Sequence, residues 1–427
     1  MLGTSLQTDS QRRYVIFWLA LAVAALAVLG GVLAIQDRSN LLRWSVFLST
    51  DLEQGRTVFR EKGCIRCHSV NGVGGNIGPD LGEAGANPSG LPFLVTAMWN
   101  HAPHMWAYMR AEGVSYPTLS YEETAQVVAY LYMASRMDAE GDAQHGRLLF
   151  TTDRCIRCHS VTGKDAKRLM QPVGADPIQT PMAWAQTMWN NAAPMEEALQ
   201  KAGLPWPKLA TSDLNDLFAY VRESGQDPVV SQQFPGDSER GWQLFQSRGC
   251  IDCHSPREDS PSGPESWPAS TFMEVGELMW NDAPGMSQAM QEHGVASAPL
   301  TGEEMTDLAA FVFALRYFDP PGSAIVGRSD FSWRGCSRCH GQDAQGTAVA
   351  PALRGHGRNY NSISLATALW SHGHKMFQRS QSLGLGWPTL EASDVGDLLA
   401  FLNTPTKART GKVEGYLLPF RRPILRH

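Results

Sequence analysis

The sequence is poor in charged residues and has little net charge for its length. Charged side chains make up 18% and hydrophobic ones 43% of the 427 residues, and the formal net charge is −6. Wholesale disorder requires low hydrophobicity together with high net charge, so this composition excludes it. Proteins that bind nucleic acids present basic faces, and the absence of a basic excess therefore argues against a nucleic-acid partner.

Alternating stretches rich in Val and Ile, which are typical of β-strands, are also missing. Amphipathic segments that are typical of helices occur instead, and each of them ends on Tyr or Phe. These segments are 126–130, 216–220, 307–311 and 397–401. Since a domain usually takes about 100–200 residues, the length indicates more than one domain. We therefore predict an all-α fold with several domains.

The sequence contains no cysteine outside four short motifs of the form Cys-x-x-Cys-His. The motifs are Cys64–His68, Cys155–His159, Cys250–His254 and Cys336–His340. This pattern is the attachment site for c-type haem, in which two thiols bond the porphyrin and the histidine binds the iron. Zinc sites built from paired Cys-x-x-Cys motifs are the alternative. We predict four covalently attached haem c groups.

The predicted haem-binding residues come in four sets. The porphyrins would be attached to Cys64, Cys67, Cys155, Cys158, Cys250, Cys253, Cys336 and Cys339. The irons would be bound by His68, His159, His254 and His340. No catalytic residue is predicted.

The four motifs belong to a longer repeat, in which successive first cysteines are 91, 95 and 86 residues apart. Each copy has a glycine nine residues before its first cysteine and a phenylalanine five residues before it. The pairs are Gly55/Phe59, Gly146/Phe150, Gly241/Phe245 and Gly327/Phe331. The spacing puts both residues on one helical face, and the glycine would allow another helix to approach closely.

Each copy also has a tryptophan, a methionine six residues later, and then a Pro-Leu or Pro-x-Leu sequence. The tryptophan–methionine pairs are Trp99/Met105, Trp189/Met195, Trp280/Met286 and Trp370/Met376. The prolines are Pro117, Pro207, Pro299 and Pro388. The tryptophans could pack on a porphyrin, donate an indole N–H to a propionate, or serve as ordinary core. Core filling is the alternative reading of the methionines.

Each copy resembles a class I cytochrome c domain. The resemblance rests on the Gly-x-x-x-Phe helix, the haem motif, the later methionine and the last helix with its aromatic residue. It implies that the sixth iron ligands are Met105, Met195, Met286 and Met376. Histidines in the same segment are alternative ligands in the first and fourth copies, namely His101, His104, His372 and His374.

The repeat predicts the domain boundaries. We expect cytochrome c domains at 51–138, 139–228, 229–319 and 320–403, after an N-terminal segment 1–50 and before a basic tail 404–427. Residues 1–50 carry a net +2 and the tail carries +5, which leaves −13 for residues 51–403. The tail would either dock on a partner subunit or be a solvated end.

The N-terminal segment contains an uncharged stretch of 21 residues, Val15 to Ile35. As a helix it would be about 31 Å long, which matches a bilayer core of roughly 30 Å. We predict a transmembrane helix at about 15–35; a cleaved signal peptide is the alternative. Since bacteria attach c-type haem outside the cytoplasm, we expect a single-pass protein of the inner (cytoplasmic) membrane with periplasmic haem domains.

The resemblance implies an electron carrier and not an enzyme. We expect a subunit of a respiratory or photosynthetic complex that relays electrons between integral-membrane subunits and a soluble carrier or oxidase. The acidic residues 51–403 favour a basic carrier. The alternatives are a haem enzyme with one open coordination position and a subunit that mainly holds a larger haem assembly together.

Overall fold

Helices account for most of the chain that the computed structural model describes. The described residues are 52–83, 90–152, 155–161, 180–224, 236–254, 267, 269–295, 299–317, 322–355 and 359–405. We call the four parts that contain the cysteine motifs units 1 to 4. In each unit one helix precedes the motif, a long central helix or helix pair follows it, and a last helix closes the unit.

The helices divide among the units as follows. Unit 1 contains α1 (Leu52–Glu61), α2 (Gly90–Ala111) and α3 (Tyr121–Ala134). Unit 2 contains α4 (Ala143–Thr152), α5 (Pro181–Asn190), α6 (Ala192–Lys201) and α7 (Thr211–Ser224). Unit 3 contains α8 (Ser238–Ser247), α9 (Phe272–His293) and α10 (Gly302–Tyr317). Unit 4 contains α11 (Ala324–Trp333), α12 (Ser337–His340), α13 (Ser362–Ser382) and α14 (Ala392–Asn403).

The last helices of units 1 and 3 start at capping boxes that are visible in the sequence. The Ser120 hydroxyl accepts from the Glu123 backbone N–H at 3.1 Å, and the Glu123 carboxylate accepts from the Ser120 N–H at 2.9 Å. Thr301 and Glu304 exchange the same two bonds at 3.1 and 2.8 Å. These bonds satisfy N–H groups that the first helical turn leaves without partners.

In every unit the helix before the motif crosses the last helix at the repeated glycine. A Cβ at Gly55, Gly146, Gly241 or Gly327 would overlap the backbone of the facing helix. The predicted close approach of two helices is therefore confirmed. The repeated aromatic residues meet beside the crossing, with ring centroids 6.0 Å apart for Phe59–Tyr130, 5.6 Å for Phe150–Tyr220, 5.1 Å for Phe245–Phe311 and 5.4 Å for Phe331–Phe401.

A carboxylate fastens the same crossing in units 2, 3 and 4. This carboxylate lies on the last helix of the unit. It accepts a hydrogen bond of 2.6 Å from the backbone N–H of the residue just before the unit's first helix. The donor–acceptor pairs are Asp142–Asp216, Asp237–Asp307 and Ser323–Asp397. In unit 3 the Arg240 guanidinium also donates to Asp307 at 2.9 Å. The repeated crossing thus combines close backbone contact with a charge-assisted bond.

The fold is not purely helical, because a short antiparallel hairpin follows the first cysteine motif. β1 (Ser69–Val70) pairs with β2 (Val73–Gly74). Between them, Asn71 and Gly72 have φ angles of 51° and 78°. Two positive φ angles are those of a type I′ turn, which Asn-Gly strongly favours. The all-α prediction overlooked this dipeptide because two-residue strands leave no alternating pattern.

The predicted fold class is wrong in its membrane-spanning part. Residues 15–35 lie outside the described residues, and no helix in the described part of the chain is long and apolar enough to cross a bilayer. The helix α9 has 22 residues, but Glu274, Glu277 and Asp282 lie within it. A charged side chain at the bilayer centre is costly, so helix length alone does not indicate a membrane span. The tail 406–427 also lies outside the described residues.

Among the described residues, the largest apolar core joins units 1, 3 and 4 and includes Met182 of unit 2. Tyr132 and Tyr317 are buried there with ring centroids 4.8 Å apart, and the Tyr132 hydroxyl donates to the Phe313 carbonyl at 2.8 Å. Arg136 is 1% exposed. Its guanidinium lies 4.3 Å from the Tyr132 ring centroid and donates to the Ser270 carbonyl at 3.2 Å. The hydrogen bond ties the end of α3 to the residues just before α9, while the cation–π contact is local and holds the guanidinium over the last turn of α3.

The central helices pack in two pairs, one of which joins the first unit to the last. The helix α2 packs along α13, and α5 packs along α9, so unit 1 pairs with unit 4 and unit 2 with unit 3. An asparagine amide fastens each contact by donating to, and accepting from, the backbone of a leucine in the partner unit. These bonds, of 2.8–3.0 Å, join Asn100 to Leu390, Asn190 to Leu300 and Asn281 to Leu209.

Replacement of Gly327 by Ala should destabilise the protein, because the added Cβ would overlap the Asp397 backbone. We expect a loss of about 1–3 kcal/mol in the free energy of unfolding, which is typical of overpacking. Chemical denaturation followed by circular dichroism measures this loss. Gly285→Ala is the matched control, since Gly285 is also helical and its Cβ would meet open space. The control should be neutral or stabilising by up to about 1 kcal/mol; equal effects would contradict the crossing geometry.

Asp138 should give the contact between units 1 and 3 a pH dependence. Its carboxylate accepts from the Met273 N–H at 3.0 Å, and burial raises its pKa to about 6. A carboxyl with a raised pKa stabilises the folded state below its unfolded pKa near 4, and this stabilisation is lost as the pH rises through about 6. The free energy of unfolding of the wild type should therefore fall by about 1 kcal/mol between pH 5 and pH 8 because of this group, and in Asp138→Asn this decrease should be absent. Denaturation at both pH values tests this, and the same difference in variant and wild type would disprove it.

Candidate haem sites

The four cysteine motifs adopt the same backbone turn. In each motif the N–H groups of the second cysteine and of the histidine donate to the carbonyl oxygen of the first cysteine. The two distances are 3.1 and 3.0 Å at Cys64, 3.1 and 2.8 Å at Cys155, 3.3 and 2.9 Å at Cys250, and 3.3 and 3.0 Å at Cys336. This turn gathers the two thiols and the imidazole of each motif within a single turn of backbone, as attachment to one porphyrin requires.

Glycine directly precedes the first cysteine in units 1, 3 and 4. Gly63, Gly249 and Gly335 have φ angles of 81°, 75° and 85°. Residues with a Cβ rarely adopt this left-handed conformation, so the glycine allows the chain to leave the preceding helix and enter the motif. These glycines are not among the residues predicted above, although their repeated position beside the cysteine is visible in the sequence.

The first cysteines of units 1, 3 and 4 lie in surroundings that disfavour a charged sulfur. Burial raises the pKa of Cys64 and of Cys336 to about 11, and it also raises the pKa of Cys250. Reactive and metal-binding cysteines need the thiolate, which nearby positive charge or a metal stabilises. A thioether carries no charge, so covalent attachment to a porphyrin suits these apolar positions better than thiolate chemistry does.

Neither disulfides nor a zinc cluster accounts for the cysteines. None of the eight, all of which the structure describes, forms a disulfide. Within the described ranges, no three His, Cys, Asp or Glu side chains are grouped so as to hold a metal ion. A structural zinc site needs four such ligands around one point. The arrangement therefore lacks the geometry that the zinc alternative requires.

In units 1 and 4 a proline carbonyl orients the histidine of the motif. The Nδ1 atom of His68 lies 3.0 Å from the Pro79 carbonyl oxygen, and that of His340 lies 2.9 Å from the Pro351 oxygen. A carbonyl can only accept, so Nδ1 carries the proton and Nε2 keeps a lone pair for a metal. Gly78 packs against the His68 ring, where a Cβ would overlap the imidazole. This second contact fits a histidine held in one orientation for an axial ligand.

The histidines of units 2 and 3 lie in more apolar surroundings. Burial lowers the pKa of both His159 and His254. A lowered pKa favours the neutral imidazole, which is the form that binds a metal. The stretches after these motifs, 162–179 and 255–266, lie outside the described residues.

The four predicted methionine ligands occupy equivalent half-buried positions on the central helices. Met105 lies on α2, Met195 on α6, Met286 on α9 and Met376 on α13. In unit 2 the methionine and the first cysteine both pack against the apolar cluster around Phe150. In unit 4 they both pack against the cluster around Phe331. This placement suits ligation, which stays a prediction for all four methionines.

The alternative histidine ligands differ between units 1 and 4. The rings of His101 and His104 lie 5.7 Å apart, and burial, His104 and His68 together lower the pKa of His101. His101 therefore lies near the haem motif of its own unit and stays an alternative to Met105 there. In unit 4 the ring of His374 lies 5.1 Å from that of Tyr116 in unit 1, so it contributes to the contact between units.

Three of the repeated tryptophans donate their indole N–H to the partner unit. Trp99 donates to the Pro388 carbonyl at 2.7 Å, Trp280 to Pro207 at 2.9 Å, and Trp370 to Pro117 at 2.8 Å. An indole has a single N–H. The suggestion that this N–H binds a propionate is therefore wrong for these three residues. Sequence reasoning had found both the tryptophans and the prolines, but not that they meet across units.

Comparison with known proteins identifies part of the chain. Residues 52–134 match the family model of cytochrome c. Unit 1 is thus similar to a cytochrome c domain over these residues. The matched residues run from the start of α1 to the end of α3 and include Cys64, Cys67, His68 and Met105. No curated protein and no solved structure gives a significant match.

A cytochrome c domain indicates a role in haem-based electron transfer, and the residues of unit 1 fit a covalently bound haem c. Cys64 and Cys67 are free for two thioether bonds, and His68 has an available Nε2 atom. The apolar cluster of Phe59, Val70 and Leu131 borders Cys64. An apolar shell limits water at a haem and so influences its reduction potential.

Met286→His should lower the reduction potential of one haem, because Met/His ligation gives a higher potential than two histidines. Spectroelectrochemical titration of the full chain measures the potential. Met290→His is the matched control, since Met290 lies one turn further along α9 and is also half-buried. The control should leave all potentials unchanged. Equal titration curves for Met286→His and wild type would remove Met286 from the ligand set.

Proposed function

We propose that the chain is an electron-transfer protein with one c-type haem in each of its four units. The observation that carries this proposal is the shared backbone turn of the four Cys-x-x-Cys-His motifs. Each turn also follows a helix that crosses the last helix of its unit at a repeated glycine. Units 2, 3 and 4 thus repeat the local structure of the cytochrome c domain of unit 1.

The side chains of each unit would divide the work of holding one haem. The cysteine pair would attach the porphyrin, and the histidine Nε2 and the methionine sulfur would bind the iron. When bound, the group supplies one-electron chemistry between ferrous and ferric iron. The crossing helices and their aromatic pairs would exclude water, which sets the potential together with the axial ligands.

A haem enzyme that binds its substrate at the iron would require an open coordination position. Each unit instead offers a methionine at the matching half-buried position, namely Met105, Met195, Met286 and Met376. A full set of sixth ligands favours transfer of electrons over binding of a substrate at the iron. We therefore favour the carrier function over the haem-enzyme alternative.

The number of haems tests the proposal directly. The alkaline pyridine spectrum of the purified full chain should give four haems per polypeptide. Replacement of one cysteine pair by alanine, for example Cys155→Ala with Cys158→Ala, should reduce the count to three. A denaturing gel stained for haem-linked peroxidase activity shows whether the haem is covalently attached. One haem per chain, or no stain at the protein's band, would disprove the four-haem function.

Carbon monoxide distinguishes the carrier from the enzyme. It binds ferrous haem strongly where the sixth position is open, so the dithionite-reduced protein should show little change in its visible spectrum. Strong binding equivalent to one haem per chain would replace the carrier function by the enzyme alternative. The variant in which binding disappears would then name the open unit.

We also propose that the redox partner is a basic protein. Residues 51–403 carry a net charge of −13, which would steer a positively charged partner towards the haem units. Electron transfer to a small basic redox protein should be fastest at low ionic strength and should slow several-fold towards 0.5 M salt. Stopped-flow mixing with such a probe measures the rate, and an acidic redox protein of similar size is the control. A rate that is independent of salt, or faster with the acidic protein, would contradict this partner.

A further inference from the structure

The apolar cluster beside the haem motif of unit 4 contains a side chain from unit 1. Phe331, Leu390, Leu398 and Phe401 of unit 4 form this cluster together with Trp99. Both Cys336 and Met376 pack against it. Trp99 is 7% exposed, and its ring lies 4.1 Å from that of Trp387. Trp99 therefore lies among the residues that would border the haem of unit 4.

The same arrangement occurs independently between units 3 and 2. Trp280 belongs to the cluster of Phe150, Leu209 and Leu214, against which Cys155 and Met195 of unit 2 pack. It is 4% exposed, and its ring lies 4.3 Å from that of Trp206. The interplanar angles are also alike, 34° for Trp206–Trp280 and 32° for Trp99–Trp387. Two copies of one geometry argue for a built-in feature of the repeat.

Hydrogen bonds in both directions hold each tryptophan in the partner unit. Trp99 donates to Pro388, while the Trp387 indole donates to the Trp99 carbonyl at 3.3 Å. Trp280 donates to Pro207, while the Trp206 indole donates to the Trp280 carbonyl at 3.1 Å. A buried ring with its N–H satisfied has one defined position, and that position is set by the partner unit.

Neither tryptophan belongs to the cluster beside the haem motif of its own unit. Among the described residues, the cluster that borders Cys64 is formed by α1, β1 and α3 of unit 1, and Trp99 is not part of it. Cys250 of unit 3 packs against the large central core, which does not include Trp280 either. Each tryptophan therefore packs beside the haem motif of the partner unit and not beside the motif of its own unit.

We propose that Trp99 and Trp280 wall the haem sites of units 4 and 2, so that the redox properties of these sites are set by a neighbouring unit. The proposal rests on the four-haem function. It makes units 1 and 4, and units 2 and 3, functional pairs; units 1 and 4 lie at opposite ends of the repeat, whereas units 2 and 3 are consecutive. An indole ring at a haem excludes water, and a more solvated haem favours the charged ferric state. Loss of the ring should therefore lower the potential of the partner's haem.

Trp99→Leu in the full chain tests the proposal through reduction potentials. Two reference variants assign the components of the titration: Cys336→Ala with Cys339→Ala lacks the unit 4 haem, and Cys64→Ala with Cys67→Ala lacks the unit 1 haem. In Trp99→Leu the equilibrium constant for reduction of the unit 4 haem should fall by up to tenfold. This corresponds to a decrease of about 59 mV in its reduction potential for one electron. The unit 1 component should keep its potential. A shift confined to unit 1, or no shift, would overturn the proposal.

Two further variants separate the ring from its surroundings. Trp99→Phe keeps an aromatic wall but loses the bond to Pro388, and it should leave the unit 4 potential close to wild type. A shift as large as that of Trp99→Leu would overturn the proposal, because the hydrogen bond would then carry the effect. Trp333→Leu is the control for loss of a tryptophan as such, since Trp333 is 85% exposed. It should change no potential.

The second pair keeps the test open if Trp99→Leu does not fold. Trp280→Leu should lower the reduction potential of the unit 2 haem, which is the component missing from the titration of the double variant Cys155→Ala with Cys158→Ala. Thermal unfolding followed by circular dichroism shows whether each variant is folded. A shift of the unit 3 component instead would overturn the proposal. The haem count separates the two levels of failure: fewer than four haems in the wild type refutes the proposed function, whereas four haems with a shift in the wrong unit refutes this inference alone.

Discussion

The close crossing of two helices is the constraint on which each unit depends. At Gly55, Gly146, Gly241 and Gly327 the helix before the motif touches the backbone of the last helix. A side chain at this point would separate the two helices and the aromatic rings that meet beside them. The motif follows the first helix after only a few residues, so the crossing also places the two cysteines and the histidine. Packing at one glycine thus controls where a haem could be held.

A unit of this size cannot enclose a large core by itself, because small domains bury a smaller fraction of their surface. The structure compensates by sharing apolar residues between units. Trp99 completes a cluster of unit 4, Trp280 completes one of unit 2, and Tyr132 lies in the core between units 1 and 3. The four units are therefore parts of one packed assembly, in which apolar side chains of one unit complete the core of another.

Features that depend on near neighbours could be predicted from the sequence. The glycine–phenylalanine spacing, the capping boxes at Ser120 and Thr301, and the cysteine motifs all involve residues within one or two helical turns. The Asn71-Gly72 turn was equally local and was missed only because its strands are so short. The membrane-spanning helix was inferred from hydropathy alone, and the helices of the described residues do not support it.

The repeat of residues is readable from the sequence alone: a glycine at the crossing, two cysteines and a histidine in one turn, and a tryptophan and methionine six residues apart. The pairing of the units is visible only in the folded chain. Trp99 and Pro388 are far apart in the chain, and their hydrogen bond exists because α2 packs along α13. All four units carry nearly the same motifs, so local patterns cannot choose among partners. That choice depends on how whole helix surfaces fit together.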